Sequence, residues 1–219
     1  MPLQVPPLAD VARMVFAAWT LGTASGAAVT RSWRVVQAGH FKVVWPVSAA
    51  LGAIAALSGE PAMWLVTALS AVTFAAIYRK LDAAAGALTA AVALALVALT
   101  LPPVTLAAAV LLGGVTNAML LGHWHLNQPR LGTAPIRRVV YGLWAGIVAY
   151  AAAAAYLATT GARGPALATL AVLAIIAVLT AMVTQLVRTR SIMSATGVLY
   201  LEVLLCFVAV FTGSLSALG

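Results

Sequence analysis

Apolar residues run through this chain in stretches of roughly 17 to 25, the length a helix needs to cross the hydrocarbon core of a bilayer. Short polar or turn-forming segments interrupt them. The pattern predicts eight helices, near residues 11–30, 43–57, 62–78, 84–101, 104–123, 139–158, 165–187 and 195–216. Turn chemistry supports the breaks: Gly59-Glu60-Pro61, Pro102-Pro103, the stretch 129–135 bounded by prolines, and 161–165 with Gly161 and Pro165. The fold class expected is all-α and polytopic, with about eight transmembrane helices in a single domain over residues 1–219.

Composition removes the soluble alternative. Of 219 residues, 64% are hydrophobic and 7% charged, with mean hydropathy +1.08, so too few charges exist to wet a globular surface. The lone cysteine, Cys206, lies in an apolar run and supports no disulfide framework. The opening MPLQVPPLAD lacks the basic segment of a cleavable signal peptide, so the first helix is expected to be retained.

Charge gives orientation. Ten of the twelve Lys and Arg residues fall in alternate loops: Arg31, Arg34 and Lys42; Arg79 and Lys80; Arg130, Arg137 and Arg138; Arg188 and Arg190. Translocation disfavours basic residues in short loops, so these loops should be cytoplasmic and both termini non-cytoplasmic, in a multi-pass protein of a cell inner membrane. The net charge of +8 is distributed between hydrophobic segments rather than gathered on one face, which points to lipid headgroups and not to nucleic acid. The bilayer is the expected partner, with other membrane subunits or further copies of the chain also open.

An internal repeat follows from the topology. LGTASGAAVTRSW (21–33) aligns without gaps on LGGVTNAMLLGHW (112–124), pairing Ser25 with Thr116, Ala27 with Ala118 and Trp33 with Trp124. Glu60-Pro61-Ala62 answers Gly164-Pro165-Ala166, and Arg79 answers Arg188. The order predicts a 4+4 duplication with halves near 10–101 and 104–217 in the same orientation, related by a two-fold axis along the membrane normal.

Few residues could carry chemistry. The three histidines fall in two related stretches, Gly39-His40-Phe41-Lys42-x3-Pro46 and Gly122-His123-Trp124-His125-x3-Pro129, both at the expected cytoplasmic boundary. His40 and His123, on different helices in one leaflet, are candidate ligands for haem b iron or another metal, with His125 a weaker one. Arg137 and Arg138 would hold an anionic group beside such a cofactor. Interfacial anchoring accounts for the same histidines and arginines without any ligand. No Cys or carboxylate stands at ligand spacing beside the histidines, which argues against a dedicated zinc site.

Glu202 is the one acid deep in a span and is the candidate catalytic, proton-handling residue. Its alternative role is a neutral acid hydrogen-bonded to Tyr200 or Gln185. Asn117, Thr116 and Gln185 join Glu202 as a candidate polar midplane site for transport, with interhelical hydrogen bonding as the plainer role. Gly22-x3-Gly26 and Gly142-x3-Gly146 are packing surfaces. No P-loop, dinucleotide motif, nucleophile elbow or HExxH occurs, which disfavours a self-sufficient hydrolase and leaves open whether the chain is an enzyme. The expectations that remain are a membrane redox subunit holding haem b or a quinone near the cytoplasmic leaflet, a small transporter or channel around Glu202, a non-catalytic membrane subunit and a lipid-modifying enzyme.

Overall fold

The structure, a computed structural model, describes residues 7–128, 130–160 and 163–218. Pro129, Gly161, the opening MPLQVP and Gly219 lie outside the described residues. Among the described residues eight α-helices follow one another: α1 (Leu8–Ser32), α2 (Ala38–Leu57), α3 (Met63–Ala76), α4 (Asp82–Thr100), α5 (Val104–Asn127), α6 (Ala134–Thr159), α7 (Arg163–Arg188) and α8 (Ile192–Leu218). A 3-10 turn, Ile77–Arg79, prolongs α3. No strand occurs among the described residues.

Six helices, α2 and α4 to α8, are long and apolar enough to cross a membrane. The chain is therefore a multi-pass, all-helical membrane protein in its broad class. Most observed ends extend beyond the predicted ones, because periodicity marks the apolar stretch while backbone hydrogen bonding carries each helix into its polar flanks. Pro46 sits inside α2, a placement that membrane helices tolerate where neighbouring groups take up the freed carbonyl.

Two loops end their helices alike. Lys80 and Arg190 have left-handed backbones, with φ of 58° and 61°. The Leu81 amide donates to the Ala76 carbonyl and the Ser191 amide to the Leu186 carbonyl. Both are Schellman closures, which satisfy the last carbonyls of a helix and turn the chain back.

Helices α1 to α4 pack in sequence, and α4 returns to α1; α5 to α8 do the same, with α8 returning to α5. The groups meet mainly through α1 against α5, with α8 touching α1 as well. At this seam a Cβ added to Gly22 would lie 2.0 Å from the Ala109 carbonyl oxygen and 2.7 Å from the Gly113 nitrogen, so the two backbones are in contact. Only glycine permits this approach.

The basic loops share one end of the bundle. There Arg31 pairs with Asp82 across α1 and α4, Lys42 lies 4.5 Å over the Tyr78 ring across α2 and α3, and Arg138 lies 5.4 Å over Trp33 across α6 and α1. Large apolar side chains such as Leu99, Val148, Val178 and Leu204 face outward. Hydroxyl pairs also cross-link the helices: Ser48 with Ser70 at 3.2 Å, Thr73 with Thr89 at 2.9 Å and Thr169 with Thr212 at 3.0 Å.

Candidate functional site: a crevice beside the helix seam

Because α1 and α5 touch at Gly22 and Gly113, side chains above and below the crossing are held apart and leave a space on one flank. This crevice has a volume of about 440 Å³ and runs between α1 and α5, with α4 and α6 at its sides. Its floor is glycine-rich, formed by Gly22, Gly26, Gly113 and Gly114. Val29, Leu94 and Val110 form its rim and are half-exposed, so it opens sideways on the apolar flank of the bundle. Along α1 the lining extends from Leu21 to Trp33, about 18 Å at the helical rise. Arg138 and Trp33 stand at the basic end.

Polar groups are few and definite. Asn117 fits over Gly26, where an added Cβ would meet the amide at 2.2 Å. Its Nδ2 donates to the Gly113 carbonyl at 2.9 Å and the Thr23 carbonyl at 3.4 Å. Two carbonyl acceptors fix which end of the amide is nitrogen. Asn117 is 1% exposed, and its Oδ1 has no hydrogen-bond partner among the described residues. Thr20 and Thr30 on α1 return their hydroxyls to carbonyls four residues earlier. Ser25, half-buried in the crevice wall, makes no such bond among the described residues.

The expected midplane cluster is divided by the structure. Thr116 accepts a hydrogen bond from Trp19 Nε1 at 2.7 Å on the flank of the seam opposite Ser25. Glu202 is fully buried where α8 meets α7: Thr180 Oγ1 donates to its Oε2 at 3.3 Å, and its Oε1 has no partner among the described residues. Gln185 is exposed and Tyr200 is exposed, so neither is the partner anticipated for Glu202. Thr180 takes that place because its short β-branched side chain can sit within a helix interface that a glutamine or tyrosine would spread.

The histidines also part. His40 is buried, with its ring 5.0 Å from that of Phe41 and 6.5 Å from that of Trp124, and its Nε2 has no partner among the described residues. His123 is exposed, with Nδ1 3.5 Å from the Tyr200 hydroxyl. Neither lines the crevice, and the rings of Phe41 and Trp124 pack around His40. His125 is half-buried. Arg137, Arg188 and Arg190 are exposed, whereas Arg138 reaches Trp33 at the crevice mouth. Among the described residues, no group of three or more His, Cys, Asp or Glu side chains converges.

Three features were not singled out in the sequence. The hydroxyl of Ser25 was visible there only as the partner of Thr116 in the repeat. Trp19 carries no motif and needs the fold to show what it fills. Asp82 is 1% exposed and receives both Arg31 Nε and, at 3.0 Å, Arg31 Nη2; its position beside a basic loop was the available signal. Comparison with protein-family models, with curated proteins and with solved structures finds no match.

Proposed function

We propose that the chain is a membrane redox-type subunit that holds a quinone in the crevice between two duplicated four-helix halves. On this reading all eight helices span the membrane, the basic end faces the cytoplasm, and both termini lie on the opposite side. The duplication is supported by the two four-helix rings, by the matched Schellman loops at Lys80 and Arg190, and by the contact of Gly22 with Gly113, which the repeat alignment pairs. Exchange across the halves supports it too. Trp33 of the first half packs under Arg138 at the start of α6, and Trp124 of the second covers Gly39 at the start of α2.

The observation that carries the function is the crevice itself. It is apolar, open toward lipid and floored by glycines that admit a flat group closely, with the Thr30 hydroxyl already bonded to a backbone carbonyl, Ser25 and Asn117 within and Arg138 beside Trp33 by the basic end. A lipid-soluble ring with two oxygens and an isoprenoid tail has that distribution of polarity. When bound, a quinone supplies two-electron, two-proton redox chemistry, and the electrons would come from a partner subunit.

A photoreactive benzoquinone with an isoprenoid tail tests the reading. Labelling should concentrate in peptides containing Ser25 or Asn117 and be competed by unlabelled quinone. Labelling spread over the outer faces of α3 and α7 without competition would overturn it, as would an organic extract of the purified protein containing phospholipid alone when the source membranes are rich in quinone.

A second reading, a proton-coupled transporter, rests on Glu202, whose Oε1 is buried without a partner at the α7–α8 interface. It places the working group away from the crevice, so the two readings separate by residue.

A further inference from the structure

The two flanks of the α1–α5 seam are counterparts of one another that have been filled differently. The repeat alignment pairs Ser25 with Thr116 and Gly26 with Asn117, and carried two residues further back it pairs Trp19 with Val110. On one flank the Trp19 indole occupies the space, donates Nε1–H to Thr116 and packs with its centroid 5.8 Å from Phe207. On the other flank Val110 stands in the place of that tryptophan, Ser25 stands in the place of Thr116, and the crevice is open. The protein thus holds, on its closed side, a flat ring with one hydrogen-bond donor aimed at a hydroxyl.

The amide of Asn117 gives a second and independent indication. Its nitrogen is committed to two carbonyls, and its Oδ1, which only accepts, is buried without a partner among the described residues, so a donor that reaches it gains a hydrogen bond. A quinone offers acceptors alone. Its carbonyl oxygen beside Oδ1 would leave a buried acceptor unpaired, whereas a hydroquinone offers an O–H. Ser25 Oγ is able to accept from the second hydroxyl, as Thr116 accepts from Trp19.

From these two observations we infer that the crevice selects the reduced, hydroxyl-bearing form of its ligand over the oxidised form. The inference rests on the quinone reading above. One buried acceptor satisfied in one form and not in the other discriminates by about tenfold or more. For a two-electron couple a tenfold preference raises the midpoint potential of the bound ligand by about 30 mV.

The test titrates a decyl-substituted benzoquinol, and separately the matching quinone, against the purified full chain in nanodiscs. The quinol should bind about tenfold more tightly, and Asn117→Leu should remove the difference. Val110→Trp, which builds the closed flank's own plug into the crevice and leaves Asn117 untouched, should abolish binding of both forms while unfolding at or above the wild-type temperature. Trp19→Val should open the second flank and raise the stoichiometry from one quinol per chain to two. Equal affinity for quinol and quinone in the wild type would overturn the inference while leaving the quinone site standing. Quinol preference that survives Asn117→Leu, or binding unaltered by Val110→Trp, would also overturn it. Absence of binding by either form would remove the quinone reading and the inference together.

Discussion

Replacing Gly22 by Ala should loosen the joint between the halves, and the structure indicates by how much. The added methyl would sit 2.0 Å from the Ala109 oxygen, 2.7 Å from the Gly113 nitrogen and 2.8 Å from the Gly113 Cα. All three are backbone atoms of the facing helix, so no rotamer change relieves the clash and α1 must move away from α5 by more than about 1 Å. Overpacking of this kind costs about 1–3 kcal/mol, and a rigid neighbour places Gly22→Ala near the upper end. Alanine returns about 0.5–1 kcal/mol over glycine within a helix, leaving a net loss of about 2 kcal/mol. For a chain of this size that lowers the unfolding midpoint by roughly 4–8 °C. Cys206 makes the assay simple, because it is the only cysteine and is buried, so a thiol-reactive dye reports its exposure on heating. Gly142→Ala is the control: nothing lies within 4 Å of its added Cβ, and the variant should unfold no lower than wild type. An unchanged midpoint for Gly22→Ala, or an equal fall in both variants, would refute the claim that backbone contact at this crossing holds the halves together.

Arg31→Ala should destabilise more than Asp82→Asn, by about 3 kcal/mol against about 1, because Asp82 is 1% exposed while the Arg31 side chain is 24% exposed and can turn to water; thermal unfolding of both variants and the double variant checks the asymmetry. Glu202→Gln should fold and insert normally because the amide keeps the shape, and under the transporter reading it should stop proton movement in proteoliposomes; undiminished movement would reduce Glu202 to a packing residue. Thr180→Val removes the Thr180 hydrogen bond to Glu202 and should lower stability by about 1 kcal/mol, measured by the same dye. Reporters placed in the loops at Leu81 and Thr133 should read cytoplasmic and one fused after Gly219 non-cytoplasmic; a cytoplasmic C-terminus would overturn the orientation.

Helix number and order were legible in the sequence because a membrane helix is specified locally: an apolar stretch of sufficient length must satisfy its own backbone hydrogen bonds, and prolines, glycines and charges mark where it ends. The gathering of basic residues in alternate loops was legible for the same reason, since one helix reverses the chain. Gly22 and Gly26 could be recognised as a packing surface, but not that the partner would be Gly113, because helix association depends on which faces fit. Tertiary structure alone decided the sites. It separated Glu202 from Asn117 and Thr116, although all three are polar residues within apolar helices, by assigning them to different interfaces. It buried His40 against Phe41 and Trp124 while leaving His123 exposed, because adjacent positions on a helix point about 100° apart and small differences in rotation decide which faces a neighbour. It also made Trp19 a plug on one flank of the seam and left Val110 beside an opening on the other, a difference in side-chain volume that becomes a cavity only once α1 and α5 are brought into backbone contact.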